Sequence, residues 1–213
     1  MVMGTQSRVR RWGPVTSQLV RRLVVDTEPI NQVALARDLQ VSQPRISQIL
    51  QLLARHSVDV ERLHDPKQRR RMVDLYMTCH RPYVVSESLL YGLDQPYVQA
   101  RQVVEAAHRQ KVRIAVSADL APDLIAPWRT PTLTVIYASA SLDLAPSVFV
   151  PAMARGEATI LVRQVSDESL LESWPVSRLD IPIAHPVQQV WDLYDLGGED
   201  RLEAAERLLG ALG

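Results

Sequence analysis

Residues 30–54, Ile-Asn-Gln-Val-Ala-Leu-Ala-Arg-Asp-Leu-Gln-Val-Ser-Gln-Pro-Arg-Ile-Ser-Gln-Ile-Leu-Gln-Leu-Leu-Ala, constrain this chain more than any other stretch. Val33, Leu35, Ala36 and Leu39 supply the apolar positions of one short helix. Ile46, Ile49, Leu50 and Leu53 recur at spacings of three, one and three, which puts them on one stripe of a second helix. Gln40-Val41-Ser42 forms the turn between them, with Val41 as an apolar plug, Ser42 as N-cap and Pro44 in the first helical turn, where its missing N–H costs nothing. The pattern is that of a helix-turn-helix.

The residues left outward on the second helix are Gln43, Arg45, Ser47, Gln48 and Gln51, with no acidic side chain among them. Gln pairs in bidentate fashion with adenine and Arg with guanine, while Ser serves either, so this set is the expected base-reading edge in a DNA major groove. A polar, solvated face on an ordinary helical hairpin is the competing reading. Phosphate contacts are expected from Arg8, Arg10, Arg11, Thr16, Ser42, Arg55, Lys67, Arg69 and Arg70 around it. Arg21 and Arg22 add to the basic run before the motif, and Arg62 and Arg71 to the one after it.

The formal net charge of zero conceals a division. Residues 1–81 hold fourteen Lys and Arg against seven Asp and Glu, whereas residues 82–213 hold ten against seventeen. A basic half beside an acidic half suggests a domain that meets phosphate, 1–81, and one that does not, 82–213. Cys79 is the only cysteine, which excludes a disulfide framework and fits a reducing cytoplasm. Asp, Arg or Pro interrupts every apolar run, so no bilayer-spanning segment is expected, and the N-terminus lacks the continuous core of a signal peptide.

Residues 15–25 predict a helix with Thr16 at its cap and Leu19, Val20, Leu23 and Val24 on one face. Residues 58–80 read in two ways. Val58–Arg62 and Arg71–Leu75 can pair as strands, with His64-Asp-Pro-Lys-Gln-Arg69 at a tip; this string resembles the wing of MarR-type repressors, whose basic tip enters the minor groove. Alternatively Asp65 caps a helix that begins at Pro66 and runs to about His80, with Met72, Leu75, Tyr76 and Cys79 on one face. The helical periodicity is the better of the two. After Arg81-Pro82 the pattern becomes an alternation of strands (83–91, 112–116, 133–137, 159–165) and helices (98–110, 120–126), closing with helices at 186–196 and 199–212 joined by Gly197-Gly198. The fold class expected is α/β (α+β): a helix-turn-helix domain, winged-helix-like, followed by an α/β domain.

Leu90-Tyr-Gly-Leu-Asp94, Ser117-Ala-Asp-Leu-Ala-Pro122 with Ile125-Ala-Pro-Trp128, Leu133-Thr-Val-Ile-Tyr137 and Ala184-His-Pro-Val-Gln-Gln-Val-Trp-Asp-Leu193 give this second half its character. In these segments and their order it is similar to the C-terminal domain of the AbiE-type abortive-infection antitoxins, the type IV antitoxin family. With the front end included, the likeness covers nearly the whole chain. The resemblance implies an N-terminal DNA-binding domain that represses its own operon, a C-terminal domain of degenerate nucleotidyltransferase-like fold, and a nucleotidyltransferase toxin as partner.

The residues argue against catalysis by the second domain. Nucleotidyl transfer needs a Gly-Ser turn and a carboxylate pair on the following strand to hold two metal ions. Here the turn is Val116-Ser117-Ala118-Asp119, and Thr134-Val-Ile-Tyr-Ala138 carries no carboxylate. Asp119 and Asp123 are expected to cap. Cys79-His80 and the histidines at 56, 64, 108 and 185 lack ligand spacing, and no Gly-x-Ser-x-Gly elbow supports a serine nucleophile. No cofactor and no metal are expected, and the four Trp are read as packing residues.

The expected protein is a bacterial, cytoplasmic, non-enzymatic transcription regulator of double-stranded DNA, a repressor of the antitoxin type. A ligand-sensing regulator whose α/β domain binds a small molecule, and an interaction module that neutralises an enzyme partner, are the alternatives. One such motif reads too few base pairs to find a site in a genome, so a homodimer on the operator is expected, with Trp191, Leu193 and the Leu202/Leu208/Leu209 stripe as contacts.

Overall fold

The computed structural model describes residues 11–26, 29–144, 149–175 and 180–212. It is a mixed α/β protein whose chain divides into two compact units, Met1–Arg81 and Pro82–Gly213.

The first unit is helical: α1 (Pro14–Val25), α2 (Gln32–Asp38), α3 (Gln43–Arg55), a 3-10 turn at Val60–Arg62 and α4 (Pro66–Cys79). Each apolar stripe goes inward. Leu19, Val20, Leu23 and Val24 of α1, Leu35 and Ala36 of α2, Ile46, Ile49 and Leu53 of α3, and Met72, Val73 and Tyr76 of α4 are all buried. Asn31 caps α2, its side chain accepting from the amides of Val33 and Ala34, and Asp65 caps α4 by accepting from Lys67. Residues 58–80 therefore follow the helical reading, and no wing is formed. Lys67, Arg69 and Arg70 stand on a helix rather than at a strand tip, because Asp65-Pro66 is a helix start and the stripe beyond it has a period near 3.6.

Two further expectations are corrected in α1. The helix is capped at Gly13 and begins at Pro14, so Thr16 lies inside it and is buried. Arg21 is 2% exposed; its Nη1 donates to the Tyr76 hydroxyl at 3.1 Å. Ser17 and His80 share a 2.9 Å hydrogen bond beside it, and the Tyr76 and His80 rings stack with centroids 4.5 Å apart. A polar seam thus joins α1 to α4 within an otherwise apolar core.

The second unit is built on a five-stranded sheet from β1 (Val84–Tyr91), β2 (Ile114–Val116), β3 (Thr134–Ala138), β4 (Val150–Pro151) and β5 (Ile160–Val165), in the order β2-β3-β5-β1-β4. Only β3 and β5 run parallel. α5 (Pro96–Gln110) and α6 (Leu120–Ile125) cover one face, where Ala100, Val103, Ala107 and Leu120 pack on Ile136, Ile160 and Val162. On the other face Val135, Tyr137, Leu161 and Val165 pack with Leu170 and Leu171 of a 3-10 turn. α7 (Pro186–Leu196) and α8 (Glu199–Ala211) follow; they are joined at Gly197 and Gly198, whose φ angles of 72° and 98° suit glycine. Trp191, Leu193 and Leu208 are buried inside this unit, which removes them from the surface expected for self-association, while Leu202 is exposed and Leu209 half-buried.

Arg163 of β5 is 3% exposed and meets three carboxylates: Glu87 at 2.8 Å, Asp192 at 2.8 Å and Asp195 at 2.6 Å. Asp192 also accepts from Ser117 at 2.6 Å and Tyr137 at 2.7 Å. Its complete burial pushes the carboxyl up to about 6, against the Arg163 charge that favours its ionised form. Since the folded value lies above the ordinary 3.8, the folded state takes up this proton before the unfolded chain does. Asp192 therefore adds stability as pH falls from about 6 to 3.8, and that increment is lost as pH rises back through 6. Asp119 acts in the opposite sense: burial opposes its charge, but Arg201 outweighs burial and holds it below 3.8, so its contribution is present above that value and lost in acid. Denaturant unfolding followed against pH should show Asp192→Asn abolishing the gain between about 6 and 3.8 and Asp119→Asn abolishing the acid loss.

Candidate nucleic-acid interface

Burial of Ile46, Ile49 and Leu53 fixes the roll of α3, and successive residues advance by about 100° around the helix. Gln48, Gln51 and Arg55 consequently run along the middle of the outward face, flanked by Arg45 on one side and Ser47 on the other. Gln43, Arg45, Gln48, Gln51 and Arg55 are exposed and Ser47 is half-buried. Arg45 Nη1 reaches Gln48 Oε1 at 3.5 Å, which places an amide and a guanidinium side by side one turn apart. All five residues expected to read bases are thus brought together on one helix that carries no acid.

The turn before α3 sets its approach. Gln40 adopts a left-handed conformation with φ 53°, and the Val41 amide donates to Ala36 O at 2.9 Å. Ser42 occupies the N-cap, yet its hydroxyl makes no capping hydrogen bond, unlike Asn31 on α2 and Asp65 on α4. Ser42 and Gln43 are exposed, but Pro44 has no N–H and the amides of Arg45 and Ile46 donate to Ser42 O at 2.9 and 3.3 Å, so what this helix start offers an incoming anion is the uncommitted Ser42 hydroxyl.

The residues expected to meet phosphate separate into groups. Arg8 and Arg10 lie outside the described residues. Arg11 is exposed, with Nε and Nη2 donating to Arg81 O at 3.2 and 2.9 Å. Thr16 is buried and is not a contact. Arg69 is half-buried and lines a recess of about 420 Å³ with Leu23, Ile30 and Leu63, rather than standing on the open surface. Ser42 and Arg55 stand at opposite ends of α3, roughly 20 Å apart by helical rise, too far apart to meet one phosphate. Lys67 and Arg70 lie on α4, where Arg70 pairs with Asp74 at 2.9 Å. Arg37 on α2, 80% exposed, is a further cation near the motif that the apolar pattern had set aside. Its signal was present: Leu35 and Ala36 point inward, which turns Arg37 out.

In the second unit, Asp119 accepts from Arg201 Nε and Nη2 at 2.7 and 3.0 Å, from the Thr132 hydroxyl at 3.0 Å and from the amides of Thr132 and Leu133 at 3.2 Å. It staples the loop before β3 to α8 and makes no side-chain cap for α6, as had been expected. Asp123 accepts from the Trp128 amide at 3.2 Å. Among the described residues no group of three His, Cys, Asp or Glu is placed to hold a metal ion, and no helix is long and apolar enough to cross a membrane.

The chain matches no family model, no curated protein and no solved structure. The geometry of α3 and its surroundings is therefore what any functional reading rests on.

The contrast in capping has a direct consequence for stability. Asn31→Ala should cost about 1 kcal/mol because two amides lose their acceptor, whereas Ser42→Ala should change stability by less than about 0.5 kcal/mol. Thermal and urea unfolding of the two variants would check this, and equal losses would show that Ser42 caps after all.

Proposed function

We propose that this protein is a sequence-specific DNA-binding transcription regulator of the bacterial cytoplasm, a repressor of the antitoxin type. α2 and α3 act as its helix-turn-helix, and α3 enters the major groove of double-stranded DNA. The observation that carries the reading is the outward face of α3: Gln43, Arg45, Ser47, Gln48 and Gln51 together, with Arg55 on the same face and no carboxylate. A solvated helix gains nothing from excluding acid, whereas one lying between two phosphate backbones does.

In this reading Arg45 and Gln48 read adjacent bases, and Ser47 and Gln51 read the other side of the groove floor. Ser42, Arg55, Lys67 and the exposed arginines hold the backbone and set register. The acidic second unit does not approach DNA. Its resemblance to the antitoxin C-terminal domain, nucleotidyltransferase-like and non-catalytic, fits the commitment of Asp119 to Arg201 and the lack of a carboxylate on β3. A nucleotidyltransferase toxin is the partner that this resemblance suggests for that unit.

Selection of binding sites from a random DNA pool by the purified full chain tests the reading. On the selected site, Arg45→Ala and Gln48→Ala should each lower affinity by roughly 1–3 kcal/mol and relax preference at one base pair. Arg55→Gln should weaken binding to any sequence and reduce the salt slope by about 1. Failure to enrich any sequence would overturn the proposal, and equal losses on random DNA would assign Arg45 and Gln48 to phosphate instead.

A further inference from the structure

Pro44, Gln48, Gln51 and Arg55 follow one another at spacings of four, three and four, so they form one line along α3, and all four are exposed. Pro44 both starts the helix and stands at the head of this line. Gln43 and Ser47 lie on one side of the line and Arg45 on the other. From Pro44 to Gln51 the helix rises about 10 Å, the length of about three base-pair steps, so this stretch faces about four base pairs in a groove. Arg55 stands a full turn beyond it. At 3.5 Å the contact from Arg45 Nη1 to Gln48 Oε1 is long for an N–H···O bond, so it withholds neither group from a base edge.

We infer that the sequence read by α3 is made of A·T pairs around a single G·C pair, whose guanine meets Arg45. The inference deepens the DNA-binding reading of α3 and rests on it. Each base pair asks for a different chemistry at its major-groove edge. Adenine sets an acceptor, N7, beside a donor, the N6 amino group, and a carboxamide offers the matching donor and acceptor together. Gln43, Gln48 and Gln51 all carry that group. Thymine adds a methyl group, which an exposed apolar ring such as that of Pro44 can meet. Guanine sets two acceptors side by side and asks for two donors, and within the stretch from Gln43 to Gln51 only the Arg45 guanidinium supplies them. Cytosine presents an N4 donor, best met by a carboxylate, and α3 has none. Ser47 serves either pair and adds no preference. Each preference belongs to a side chain, so the composition of the site follows whichever way the helix points along the groove.

Base-switching variants of the full chain, each passed through the same selection from random double-stranded DNA at fixed salt, test it. The parent protein should enrich a core of A·T pairs interrupted by one G·C pair. Arg45→Gln should turn that G·C pair into A·T, and Gln48→Glu should turn one A·T pair into C·G, because a carboxylate accepts from cytosine N4. In competition between the two oligonucleotides each switch should change the affinity ratio by about tenfold or more, with unchanged thermal unfolding, since both side chains are exposed. A G·C-rich core that still depends on Arg45 and Gln48, or variants that bind more weakly while keeping the parent's preferred bases, overturns this inference and leaves the DNA-binding reading standing. Failure to enrich any sequence overturns that reading and this inference with it.

Discussion

Arg163 cannot shed its proton and has almost no exposed surface, so the second unit is arranged around giving it partners. Glu87 comes from β1, Asp192 and Asp195 come from α7, and the Tyr137 hydroxyl from β3 shares Asp192. Those partners can meet only if β1 lies beside β5, β3 lies on its other side, and α7 crosses that face at a fixed rotation. Burial opposes the charge on Arg163, but the Asp192 carboxylate overrides it and keeps the guanidinium protonated more firmly than usual. Hydrophobic packing alone would tolerate a shifted strand or a rolled helix at modest cost. A buried cation with three carboxylates does not, because any slip leaves a charge without its partner.

The first unit uses the same device on a smaller scale. Arg21 lies between α1 and α4 against the Tyr76 hydroxyl, with Ser17 and His80 beside it. The seam orders α1 against α4, and the Arg22–Asp38 pair at 2.9 Å links α1 to the end of α2. α3 packs through the buried Ile46, Ile49 and Leu53, with Leu50 and Leu52 half-buried beside them. Its polar residues other than the half-buried Ser47 are exposed, and that separation is what lets α3 be read as an interface rather than as part of the scaffold.

Local pattern made much of this legible in the sequence. The stripes of α1, α3, α4 and α8 are short-range signals, as are Asp65 and Pro66 at a helix start, and each element follows them to within a few residues. The wing failed for a local reason too: two-residue alternation is weak across 71–75, and the helical period is not. Partners distant in sequence were hidden. Thr16 and Arg21 read as surface groups because of their polarity, although Thr16 precedes Leu19 by three and Val20 by four, on the buried stripe. Arg163 shares a strand face with Leu161 and Val165, but Asp192 stands 29 residues away. Trp191, Leu193 and Leu208 suit an interface or a core equally well by their apolar character, and only the tertiary fold assigns them to the core.

The charge division between the units takes on a narrower meaning once burial and pairing are known. Several of the fourteen basic residues in 1–81 are spoken for within the fold: Arg21 is buried, and Arg22, Arg37, Arg62 and Arg70 face carboxylates. Exposed pairs of this kind are worth little and exchange readily with solvent ions, so those arginines can still turn to a phosphate, but each gives up a carboxylate in doing so. Among the described residues, Arg45, Arg55 and Lys67 form no ion pair that would have to be given up. In the proposed DNA-binding reading, counterion release therefore favours contact through α3 and the start of α4 over contact through the rest of the basic surface. The cations that attract phosphate and the side-chain amides that read bases lie, in that reading, on the same helix, so non-specific attraction would already hold Gln48 and Gln51 against the groove.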